Sequence, residues 1–113
     1  MKHLKYLGII AACIFLYSCS KSEESDEISF SSDIAGFLEN SCTACHYGGR
    51  QSPDLREQYA YNALIDGEYV LPGNSADSPL VQQLESGHPS AGHLTQSQID
   101  QVKLWIDQGA VNN

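Results

Sequence analysis

From Ile34 onward, apolar residues recur three and four positions apart, the spacing that lines up one face of a helix. Ile34, Phe37, Leu38 and Cys42 make the first such stripe and predict a helix over about Asp33 to Asn40, with Ser31 or Ser32 as its cap. A second stripe follows Asp54, whose side chain is suited to cap a helix from Leu55 to Ile65 before Asp66-Gly67 ends it. Ser78-Pro79 puts a cap and a first-turn proline ahead of Leu80, Val81 and Leu84, predicting a short third helix. In the fourth, Thr95 and Gln98 form a T-x-x-Q capping box, Ile99, Val102, Trp105 and Ile106 form the buried stripe, and Gly109 supplies the stop. Tyr47 to Pro53 and Val70 to Gly73 are loops by composition. No run alternates apolar and polar residues over the length of a strand, so the expected fold is all-α, with about four short helices.

The amino-terminal stretch breaks this pattern. Lys2, His3 and Lys5 form a basic head, and Tyr6 to Leu16 is an apolar run too short to span a bilayer, as in the central region of a signal peptide. The closing Leu16-Tyr17-Ser18-Cys19 resembles the lipobox of bacterial lipoproteins. That resemblance implies cleavage before Cys19 and a lipid on it. Ile10-Ala11-Ala12-Cys13 fits the same local pattern but would strand Ile14-Phe15-Leu16 on the mature chain, and cleavage near Ser18 without lipid would leave Cys19 as a free thiol. Ser20 to Ser29 has too little apolar surface to order itself and reads as a tether. The expected division is a signal peptide over 1–18, a flexible acidic tether over 19–30 and one folded domain over 31–113.

Charge narrows the partners. From Cys19 on, the basic residues are Lys21, Arg50, Arg56 and Lys103, against all fourteen acidic ones, a net charge of −10. Such a surface disfavours nucleic acid and favours a protein partner with a basic docking patch, in a contact that weakens with salt. A domain this small builds only a marginal core from its side chains alone.

The chemistry is concentrated in Cys42-Thr43-Ala44-Cys45-His46. This is the C-x-x-C-H pattern of covalent haem c attachment, in which each thiol adds to one vinyl group and the histidine lies beneath the iron. Three other readings fit less well. A thioredoxin-like pair opens a helix after a strand, which is missing here; a zinc site wants further spaced ligands, whereas Cys13 and Cys19 lie near the amino terminus; a Cys42–Cys45 disulfide leaves His46 without a purpose. Pro53 is either a turn proline or the carbonyl acceptor for the ring N–H of His46. Tyr59, Tyr61 and Tyr69 are either core aromatics or partners of the porphyrin edge.

Cys42 to His46, Pro53-Asp54-Leu55, Val70-Leu71-Pro72-Gly73, Ser78-Pro79-Leu80 and Trp105-Ile106-Asp107-Gln108-Gly109-Ala110 together resemble the small monohaem cytochrome c domains whose last helix ends in W-I-x-x-G-A. The resemblance implies a class I-like fold around one covalent haem, crossed first and last helices, and a distal ligand from the loop before the last helix. That ligand is usually a methionine, and the sole methionine here is Met1. His88-Pro89 stands where Met-Pro is expected, so His88 is the first candidate for the sixth ligand and His93 the second. Two histidines would saturate the iron and make an electron carrier; if neither binds, the open position suits a haem-based ligand sensor or a peroxidase-like domain. The expected function is that of an exported carrier of single electrons between envelope redox partners, lipid-anchored at Cys19 on the periplasmic or outer-membrane face.

Overall fold

A computed structural model of the protein describes residues 27–89 and 94–113. Cys19, the signal peptide, most of the tether and His93 lie outside the described residues. Among the described residues there are four α-helices and no strand: α1 (Ala35–Cys42), α2 (Glu57–Asp66), α3 (Pro79–Glu85) and α4 (Gln96–Asp107), with a π-helical turn (Phe30–Ile34) running directly into α1. This is the all-α architecture that the apolar spacing predicts. None of these helices is long and apolar enough to cross a membrane.

Two of their starts differ from expectation, each for a local reason. Ser29, rather than Ser31 or Ser32, caps the first helical segment: its Oγ accepts from Ser32 N–H at 3.2 Å, while Asp33 reaches back to Ser29 N–H at 2.8 Å. Ile28 and Phe30 are buried, so the folded domain includes residues 27–30, which sequence assigns to the tether. Helix α2 starts at Glu57 instead of Leu55 because the Leu55 N–H is committed to His46 O at 3.0 Å and the Asp54 carboxylate to Arg56. Ser78 precedes Pro79 as expected, but its hydroxyl does not cap α3. Fully buried, it accepts from Leu71 N–H (2.9 Å) and donates to Asn74 O (2.8 Å), closing the Leu71–Ser78 loop. Helix α4 also starts as predicted, with both arms of the Thr95/Gln98 capping box formed.

Three helices end in the same device, paired 6→1 and 5→2 hydrogen bonds closed by a left-handed residue. In α3 these are His88 N–H to Gln83 O and Gly87 N–H to Leu84 O; in α4, Ala110 N–H to Trp105 O and Gly109 N–H to Ile106 O; in α2, Tyr69 N–H to Leu64 O and Glu68 N–H to Ile65 O. In α2 the left-handed residue is Glu68 (φ 58°), not the expected Gly67 (φ −80°). Gly67 is needed for space instead: a Cβ there would lie 2.5 Å from the Tyr69 ring and 2.8 Å from Ala63 O.

Helix α1 packs on α2, α4 on α3 and on the π-helical turn. The core gathers Ile34 and Leu38, Leu64, Val81, and the α4 stripe Val102, Trp105 and Ile106. Phe30, Tyr61 and Trp105 meet as an aromatic trio, with Phe30 centred 5.3 Å from Tyr61 and 5.1 Å from Trp105. The chain's last residues close over it: Trp105 Nε1–H donates to Val111 O and the Tyr61 hydroxyl to Ala110 O, both at 2.9 Å. Asn113 then takes Phe30 N–H on its side chain and Ser31 N–H on its carbonyl, while Gln108 Oε1 takes Ile28 N–H.

Candidate functional site

Helix α1 delivers the cysteine pair. Its hydrogen bonding continues past Cys42: Thr43 N–H donates to Glu39 O, and both Cys45 N–H (3.2 Å) and His46 N–H (2.8 Å) donate to Cys42 O. Cys42 and His46 are therefore one helical turn apart, on one side of the segment. Cys42 is half-buried against the core and Cys45 is exposed, both with free thiols. Burial pushes the Cys42 thiol up to about 11. It stays protonated at neutral pH, unlike the activated thiolate of a disulfide-exchange pair.

His46 is pinned twice. Its Nδ1 lies 3.2 Å from Pro53 O, the acceptor role that sequence left open against a turn proline, and its backbone carbonyl receives Leu55 N–H. With the proton on Nδ1, Nε2 keeps its lone pair for a ligand. The loop between is braced by Asp54, which takes Arg56 Nε (3.0 Å) and Arg56 N–H (3.2 Å) on Oδ1 and Arg56 Nη2 (2.6 Å) on Oδ2. That guanidinium and a bond from Gly48 N–H hold the Asp54 carboxyl below the usual carboxylate range.

His88 arrives from the far side of the sequence. The α3 terminus fixes its backbone, with Gly87 in the left-handed region (φ 90°) turning the chain so that the 6→1 bond falls on His88 N–H. The His46 and His88 rings come together with centroids 6.0 Å apart and planes at 77°. Two imidazoles on opposite sides of one metal, each with a bond of about 2.0 Å and a nitrogen about 1.1 Å from its ring centre, would be separated by about 6.2 Å. The observed value matches that span and also lies within the range of an edge-to-face ring contact. Among the described residues no group of three or more His, Cys, Asp and Glu side chains gathers to hold an ion. The fold thus brings together two imidazoles that the sequence keeps far apart.

The tyrosines divide. Tyr61 belongs to the core, Tyr69 packs half-buried against it, and Tyr59 is exposed with Arg56 stacked over its ring at 4.6 Å. Arg50 similarly covers Tyr47 at 5.9 Å. Sequence reading missed the Asp54–Arg56 brace, because an i, i+2 pair in a loop carries no periodic signal. It also missed the role of Gly87, although a glycine just past a helical stripe marks a helix end. No known family model, characterised protein or solved structure matches the chain.

Proposed function

We propose that the protein is a c-type cytochrome that carries single electrons, with one haem bound through Cys42 and Cys45 and ligated by His46 and His88. The observation that carries this reading is the 6.0 Å approach of two histidines 42 positions apart, one of them within a C-x-x-C-H motif. The residues fit the group: two free thiols on one turn, a histidine whose tautomer leaves Nε2 available, and a second imidazole at the span of one metal. A porphyrin is also the kind of ligand that completes coordination where, among the described residues, two histidines meet. When bound, the haem supplies reversible Fe(III)/Fe(II) cycling.

The chain's own residues do the rest. Cys42 and Cys45 anchor by thioether bonds, and the carbonyl of Pro53 orients His46 and strengthens it as a donor. His88 would supply the second imidazole, a donor set that would exclude small ligands and favour electron transfer over substrate chemistry. The acidic surface supports docking to a redox partner through a basic patch, and the Leu16–Cys19 motif supports export and a lipid anchor at Cys19.

Visible spectra of the oxidised and reduced protein, with and without carbon monoxide, test the reading. Low-spin bands unmoved by the gas are expected in the wild type. His88→Ala should lose six-coordination and bind carbon monoxide, whereas His93→Ala should not. A wild-type protein that binds carbon monoxide readily would point to the sensor or peroxidase-like alternative, and colourless mature protein would end the proposal.

A further inference from the structure

We propose that Asp54 is a positioning residue for His46, setting through the loop backbone how strongly Pro53 O accepts the Nδ1 proton and hence the donor strength of Nε2. The inference rests on the haem reading above and adds to it a tuning element eight residues from the ligand. Its basis is the arrangement of the loop. Residues 53 and 55 each bond His46, one to its ring and one to its carbonyl, and Asp54 lies between them. Its carboxylate joins the two arms of the loop: Gly48, two residues beyond His46 on the outgoing arm, and Arg56 on the returning arm. The third member of this cross-brace is equally constrained. A Cβ at Gly48 would stand 2.6 Å from Arg56 Nη2 and 3.1 Å from Asp54 Oδ2, so a larger residue there pushes the end of the Arg56 side chain aside and disturbs its pairing with Asp54. With the brace intact, Pro53 O is held 3.2 Å from Nδ1, near the long end of an N–H···O bond. A small outward displacement of residues 53–55, once the brace no longer ties them, therefore loses the bond. A histidine that donates a firm Nδ1–H bond is the stronger ligand and favours the ferric state, so loosening the brace raises the midpoint potential.

The test is spectroelectrochemical titration of the haem-loaded full-length protein. Asp54→Ala should raise the midpoint potential while the spectrum stays six-coordinate. Gly48→Ala, which displaces only the flexible end of Arg56, should raise it by less and serves if Asp54→Ala yields no haem-loaded protein. Ser78→Ala provides the control for mere destabilisation, since it loosens a different loop and should leave the potential where it is. An unchanged potential in Gly48→Ala and in any haem-loaded Asp54→Ala, or an equal shift in Ser78→Ala, overturns the inference. Failure of the wild type to take up haem would instead overturn the reading beneath it.

Discussion

Glu68 shows how one backbone angle can work against its side chain. It occupies the left-handed position at the end of α2, where a side chain bearing Cβ is strained by roughly 1–2 kcal/mol. Part of that gain is offset by the greater unfolded-state freedom of glycine. Glu68→Gly should therefore stabilise the protein by about 0.5–1 kcal/mol, read as a rise in urea midpoint. The neighbouring Gly67 behaves oppositely, since alanine there meets the Tyr69 ring and Ala63 O, and Gly67→Ala should lower the midpoint. Two adjacent residues thus respond in opposite senses to exchanges between glycine and a larger residue. Neither response is legible from the Asp66-Gly67 pair, which in sequence marks only that a helix stops.

At the scale of elements, the helices were legible wherever a stripe and its own cap lie within one turn, as in α4 with Thr95 and Gln98. The starts of the first helical segment and of α2 were not, because Ser29, Asp54 and Leu55 are fixed by bonds that depend on the folded loops. Ser78 belongs to the same class: its place before Pro79 was readable, its burial as a loop staple was not. Ser78→Ala should cost about 1–3 kcal/mol, because it leaves Leu71 N–H and Asn74 O without their partner, and chemical denaturation measures it. The Asp54 brace predicts a pH signature. Its carboxyl titrates below the unfolded value, so the folded state binds fewer protons there and the stabilisation is lost as pH falls through the lowered folded-state pKa. Urea midpoints of wild type and Asp54→Asn should differ at about pH 6, and the gap should narrow only as the pH falls below the ordinary carboxylate range, where the wild-type side chain takes up its proton.

For the whole molecule, the candidate site was half visible in sequence. Cys42, Cys45 and His46 are contiguous, so local spacing is sufficient to find them. Choosing His88 required the resemblance to a known domain, and its approach to His46 is a property of tertiary structure alone. The 77° angle between the two rings carries an electronic consequence. In the haem protein proposed above, imidazoles kept in these crossed planes would leave the iron orbitals near-degenerate, and its ferric form should show one dominant low-field electron paramagnetic resonance feature; parallel planes would give a spread three-line spectrum. A three-line spectrum would mean that the rings turn when the haem is in place.

The seam between Ile28–Ser31 and Gln108–Asn113 also bears on how the domain withstands tension. Any pull arriving along the residues before Glu27 reaches Asn113 and Gln108 first, and through them the anchored end of α4 with Trp105. None of the bonds in that seam involves the loop that holds His46 or the turn that presents His88. Under the anchoring proposed above, load entering at Glu27 would be shared between this seam and the continuous run from Phe30 to Cys42, and the turn that presents His88 would lie outside both.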